Sequence, residues 1–210
     1  MEKINCIISN WDEIYKIAKS TADKIKESGF HPDIIIAIAR GGLVPARLLS
    51  DFLHVKDLVS LKADHWGVTA AKDGQARISY GINLDLTNKK VLIVDDITDT
   101  GQSMMLSVEH VKALNPQEIR TAALYHLIDS KFKPDFYGYE RDWAWIIFPW
   151  NYREDLVNLI NKVVKKEERE GKSHDEIKAD LKSYFNIETE ISELRELMEH
   201  ISYLEKINKI

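Results

Sequence analysis

The sequence predicts an α/β fold, with a mainly parallel sheet flanked by helices and a helical extension at the C-terminus. Three observations predict it. Short apolar runs, each followed by a glycine-bearing turn and then a helical pattern, occur at residues 34–53 and again at 91–114. Both runs are apolar on both faces, as strands buried in a parallel sheet must be. After residue 150 the composition changes: proline is absent, Gly171 is the only glycine, and helix formers dominate.

Taken in order, Trp11, Ile14, Tyr15, Ala18, Ala22 and Ile25 recur at helical spacing after Ser9 or Asn10 as N-cap, and Gly29 ends that helix. Ile34–Ala39 reads as a strand, Gly41-Gly42 as a turn, and Leu43, Ala46, Leu49 and Leu53 as one face of a helix. Val91–Val94 is a second strand, Thr98 to Ser103 a polar turn, Met104 to Leu114 a helix, and Thr121–Leu127 a third strand. Between the two units, Ala63–Lys89 is polar and lacks clear periodicity, which suits a functional loop or hairpin. In the extension, Ser173 with Glu176 fits a capping box. Ile191, Leu194, Met198 and Ile201 form an apolar seam, suited either to a dimer clasp or to packing on the chain's own domain. Two or three helices are expected there. The organisation expected is a domain over residues 1–150 and a helical extension over 151–210.

The 210 residues are 44% apolar and 30% charged, enough for a real core and unlike a disordered chain. The net charge of −5 argues against a general nucleic-acid binder. The extension is itself acidic, with 11 Lys+Arg against 14 Asp+Glu, which weighs against a DNA-reading segment. Cys6 is the only cysteine, so an internal disulfide and a cysteine metal cluster are excluded. No signal-peptide pattern opens the chain, and the longest apolar run, Ile34 to Ala39, is too short to cross a bilayer. A cytoplasmic location, without membrane contact, is the expectation.

The informative stretch runs from Val91 to Ser103: an apolar strand, then Asp95-Asp96-Ile97-Thr98-Asp99-Thr100-Gly101-Gln102-Ser103, then a helix. Unpaired N–H groups and the positive dipole end at a helix start favour an anion. Gly101 lets the backbone close on it, and Thr98, Thr100 and Ser103 add hydroxyls, so the loop is suited to a monophosphate. Paired carboxylates suit sugar hydroxyls and a hard divalent cation. Ligands of open α/β sheets bind beyond the carboxyl ends of strands, where both glycine turns fall.

This stretch resembles the signature of the type I phosphoribosyltransferases. The run Ala39-Arg40-Gly41-Gly42, continued by Leu43-Val44-Pro45, is similar to the pyrophosphate-facing loop of the xanthine–guanine branch. The resemblance covers roughly residues 9–150. It implies Mg²⁺ as cofactor, phosphoribosyl pyrophosphate and a purine base as substrates, and a homodimer. By resemblance, Asp95 and Asp96 face the ribose hydroxyls and the metal, while Thr98 and Asp99 to Ser103, including Thr100, Gly101 and Gln102, hold the 5-phosphate. Ala39, Arg40, Gly41 and Gly42 face the pyrophosphate.

Asp99, before the Thr-Gly pair, is the residue type of the 6-oxopurine enzymes. A carboxylate there can accept the proton that the purine loses. Within Trp145-Ile146-Ile147-Phe148-Pro149-Trp150, the resemblance stacks Trp145 on the base and brings the Ile146 backbone to its edge. His126 stands where relatives carry a lysine toward the purine O6, with Lys131 and Lys133 nearby. His65 through Tyr80 is similar to the family's lid, in which Lys72 and Arg77 would meet the pyrophosphate. The alternative is a regulator that senses phosphoribosyl pyrophosphate without turning it over.

Overall fold

The computed structural model describes residues 3–65, 76–164 and 171–209. Contacts divide the chain into two compact units, Trp11–Trp143 and Met1–Asn10 with Ala144–Ile210.

The larger unit holds α1 (Trp11–Glu27), β2 (Ile34–Ala39), α2 (Leu43–Leu53), β3 (Asp57–His65), β4 (Ala76–Tyr80), β5 (Lys90–Thr98), α3 (Gln102–Lys112), β6 (Glu118–Leu127) and β7 (Phe136–Arg141); β1 (Cys6–Ile8) belongs to the other unit. The strand order is β4-β3-β2-β5-β6-β7. Every pair is parallel except β3 with β4, which form an antiparallel hairpin.

Strand alternation sorts the apolar residues onto two faces. Ile34, Ile36, Ile38, Val91 and Ile93 face a cluster with Met104 and Val111 of α3. Ile35, Ala37, Leu92 and Val94 face the opposite cluster, with Ala22 and Ile25 of α1 and Ala46 and Leu49 of α2. This is why Ile34–Ala39 and Val91–Val94 read as continuous apolar runs: each is covered by helices on both sides.

The order has a functional consequence. From β2 the chain winds outward to β3 and β4, then returns to lay β5 on the other side of β2. The sheet therefore reverses its winding between β2 and β5. The helix after β2 covers one face and the helix after β5 the other. Such a reversal opens a crevice at the carboxyl ends of the two central strands.

The smaller unit pairs β1 in parallel with β8 (Trp145–Ile147), with Cys6 opposite Trp145 and Ile8 opposite Ile147. It continues through α4 (Tyr152–Val163), α5 (His174–Phe185) and α6 (Ile191–Lys206). Its core joins Cys6 and Ile147 to Leu156, Ile160, Leu181, Phe185, Leu194 and Ile201. The contact boundary thus falls at 143/144 and not at the 150/151 expected from composition. The reason is that β8 pairs with β1 and both bury side chains in the helical core.

The Ser173–Glu176 capping box forms in full at the start of α5. On α6 the buried stripe is Leu194, Leu197 and Ile201. Ile191 and Met198 are half-buried, so Leu197 was the missing member of the seam. That stripe lies in the core of its own unit, which occupies the surface a dimer clasp would need. Among the described residues no helix is long and apolar enough to cross a membrane.

Candidate active site

The crevice between β2 and β5 is built by two glycine turns and a pair of acids. β5 runs to Thr98, farther than the apolar run alone suggests, so Asp95 and Asp96 lie within the strand. Both are almost wholly buried, at 8% and 6% exposure. The Asp95 carboxylate accepts the N–H of Asp96 at 2.9 Å. Burial, and next the negative charge of Asp96, push the Asp95 carboxyl well above the usual carboxylate range. A buried acid pair of this kind is poised to gain from a cation or from hydroxyl donors.

The turn after β2 lies against these acids. A Cβ on Gly41 would stand 2.5 Å from Asp96 Cγ and 2.6 Å from its Oδ1, closer than atoms can approach. A Cβ on Gly42 would meet backbone instead, with Ile38 O at 2.8 Å and the Val94 carbonyl nearer still. Gly42 donates to Ile38 O at 2.8 Å, which turns the chain sharply into α2. The peptide bond between Ala39 and Arg40 is cis. Arg40 is exposed beside the turn.

The second turn, Asp99 to Gly101, leads into α3, which starts two residues earlier than the sequence pattern suggests. Gly101 caps the helix with φ +80, a left-handed conformation that strains any side chain. Phe132 closes over it, with its Cβ 2.5 Å from where a Gly101 Cβ would be. Thr100 O also accepts the Lys131 N–H at 3.2 Å. The segment Ser130–Phe132 is thus part of the loop's support, and the sequence reading missed it. The signal was local: Ser130 Oγ both accepts from Phe132 N and donates to Phe132 O, a serine turn directly after a strand. Asp99 is exposed, and its carboxylate accepts the Thr100 N–H.

His126 is buried at 3% exposure, and its Nδ1 lies 2.9 Å from Thr98 Oγ1 across the β5–β6 pair. Its Nε2 is 3.9 Å from Glu140, which also pairs with Lys133 at 2.7 Å. Burial holds the imidazole below its ordinary range, against the opposing pull of Glu140. Thr98 Oγ1 and His126 Nδ1 thus share one hydrogen bond, whose direction is set by the His126 tautomer.

The structure brings together Ala39 to Gly42, Asp95, Asp96 and Thr98 to Ser103 at the carboxyl ends of adjacent strands. Arg77 is exposed on β4, opposite Asp64, and Lys72 lies outside the described residues. Trp145 and Ile146 belong to the smaller unit. Ile146 is buried there, and half-buried Trp145 packs on the helical core, with its Nε1 unpaired among the described residues.

The family described as "Phosphoribosyl transferase domain" matches residues 7–155. A xanthine-guanine phosphoribosyltransferase from Desulfotalea psychrophila is 32% identical over 146 residues, 68% of this chain and 84% of that protein. A hypoxanthine-guanine phosphoribosyltransferase from Schizosaccharomyces pombe is 26% identical over 195 residues, 74% of this chain and 93% of that protein. Among solved structures, a purine phosphoribosyltransferase from Pyrococcus horikoshii is 33% identical with a TM-score of 0.61, covering 70% of this chain and 94% of that one. Sequence, fold and the crevice agree, and the chain belongs to the phosphoribosyl transferase family.

Proposed function

We propose that the protein transfers the 5-phosphoribosyl group of phosphoribosyl pyrophosphate to a 6-oxopurine (hypoxanthine, guanine or xanthine), with Mg²⁺, as a cytoplasmic homodimer. The observation that carries this reading is the reversal of sheet winding between β2 and β5, where the buried Asp95–Asp96 pair meets the Gly41–Gly42 turn and the Gly101 cradle. The names of the relatives support a purine as acceptor.

In this reading the 5-phosphate sits on the N–H groups at the start of α3, supported by Thr100 and Ser103. Asp95 and Asp96 take the ribose hydroxyls. The Arg40–Gly42 turn faces the pyrophosphate, and the absence of a Cβ at Gly41 and Gly42 lets the turn lie tight against Asp96 and the backbone of β2 and β5. The bond from C1 of ribose to pyrophosphate breaks as N9 of the purine bonds to C1. Positive charge builds on the sugar ring, as in glycosyl transfer. Asp99, exposed at the mouth of the loop, accepts the proton the purine loses.

The acid pair fits Mg²⁺. Among the described residues no cluster of three or more His, Cys, Asp or Glu forms a closed metal cage. Two carboxylates suit an ion that takes one or two protein ligands and fills its shell with phosphate oxygens and water. When bound, the ion would neutralise the leaving pyrophosphate.

Calorimetric titration of phosphoribosyl pyrophosphate tests the assignment. Binding should need Mg²⁺ and should weaken at least tenfold in Asp96→Asn, on the order of one lost charge-assisted contact. Equal binding with a chelator present would remove the metal from the reading.

A further inference from the structure

The His110 side chain on α3 sits under the return arm of the β3–β4 hairpin. Its Nε2 lies 3.1 Å from Ile82 N and 3.1 Å from Ile82 O. A bare Nε2 accepts the Ile82 N–H, and an Nε2 bearing hydrogen donates to the Ile82 carbonyl, so either tautomer finds a partner on the same residue. Gly81 lies against the ring: a Cβ there would stand 2.7 Å from His110 Cε1 and 2.9 Å from Nε2. Ile78 and Ile82 share one apolar cluster with Val108 and Val111 of α3. The imidazole is therefore a polar pin beside that apolar cluster.

Register places the pin in relation to the crevice. Ala39, the last residue of β2, pairs with Lys62 of β3, and Lys62 pairs with Tyr80 of β4. Gly81 follows Tyr80, so the pin holds the hairpin at the level where β2 gives way to the Arg40–Gly42 turn. From there β3 continues past the end of β2 to His65, toward the ligand side of the sheet. The other end of the same helix α3 begins at the Gly101 cradle. One rigid helix thus carries the phosphate loop at its start and the hairpin's anchor in its last turn.

We infer that His110 is a positioning residue, which fixes the base of the β3–β4 hairpin relative to the phosphate loop and so sets how the hairpin meets a bound sugar phosphate. Only the kinetic part of its test rests on the function proposed above. His110→Phe keeps the ring beneath Gly81 but removes the nitrogen. His110→Gln restores an amide able to meet Ile82.

The test is hydrogen exchange of the full-length protein, with steady-state kinetics in parallel. In His110→Phe, amides of residues 76–82 and 61–65 should exchange about threefold to tenfold faster, the size expected for one lost hydrogen bond. Exchange in β5 and β6 should stay unchanged. KM for phosphoribosyl pyrophosphate should rise by about the same factor, and His110→Gln should recover most of both effects. Unchanged exchange in the hairpin would overturn the inference. So would acceleration spread evenly through the sheet, which is the sign of a merely structural loss. If the wild-type protein turns over no purine, the exchange pattern still decides the matter of the pin.

Discussion

Gly41 and Gly42 are neighbours, yet alanine at each should do different harm. At Gly41 the new methyl collides with the Asp96 carboxyl, 2.5 Å from its Cγ. That carboxyl is the far end of a side chain and can rotate aside, at about 0.5–1.5 kcal/mol for an off-rotamer angle. A chain of this size loses roughly 2–4 °C of Tm per kcal/mol, so Gly41→Ala should lower Tm by about 1–6 °C. A displaced carboxylate is another matter at the site. A shift of about 1 Å in a substrate-holding group lowers turnover on the order of 100-fold. At Gly42 the methyl meets Ile38 N at 3.0 Å, Ile38 O at 2.8 Å and the Val94 carbonyl, all backbone of the two central strands. Relief there requires β2 and β5 to shift, at about 1–3 kcal/mol or more, which lowers Tm by roughly 2–12 °C. Scanning calorimetry and kcat/KM for phosphoribosyl pyrophosphate check both variants. A Gly41→Ala protein with wild-type kcat/KM would refute the placement of Asp96 against the substrate. A Gly42→Ala protein with wild-type Tm would refute the close packing of the turn on the strands.

Three further expectations follow from the same geometry. Asp99→Asn should bind phosphoribosyl pyrophosphate as the wild type does but transfer it about 100- to 10,000-fold more slowly, the usual range for a lost proton acceptor; single-turnover kinetics checks this. Burial holds His126 below the ordinary imidazole value of about 6.5 in the folded state. Below that pH the unfolded chain binds the proton more readily, so His126 should subtract stability as pH falls from 6.5 toward its folded value. His126→Gln should flatten that part of the stability–pH curve measured by urea unfolding, and an unchanged slope would contradict the assignment. Cys6 is 4% exposed, and burial pushes its thiol up to about 12. A thiol reagent at pH 8 should modify it only at the rate of unfolding, and rapid stoichiometric labelling of native protein would show the smaller unit's core to be open.

Much of this was legible in the sequence, for identifiable reasons. The strands Ile34–Ala39 and Val91–Val94 announced themselves because burial on both faces leaves no polar position. The capping box at Ser173 was legible because it is a local reciprocal bond. The short strands were not. β1 and β8 have three residues each, too few for a period, and exist through pairing across more than half the chain. Strand order was also invisible locally, so the two glycine turns could be placed at strand ends but not beside each other. His126 shows a further gap. The resemblance puts it where relatives carry a lysine toward the base, and no local pattern announces its Nδ1 partner Thr98, 28 residues earlier in sequence. Gly81 and His110 carry no local signal at all, since a glycine after a strand and a histidine on a helix are each unremarked until the fold stacks them.

The proposed reaction is phosphoribosyl transfer to a 6-oxopurine. The most direct test is pyrophosphate release by the purified protein with Mg²⁺ and phosphoribosyl pyrophosphate, run in parallel with hypoxanthine, guanine, xanthine, adenine and orotate. Release is expected with one or more of the 6-oxopurines and none above background with adenine or orotate. Silence with every base, while phosphoribosyl pyrophosphate still binds, would contradict it and identify the protein as a sensor of that ligand.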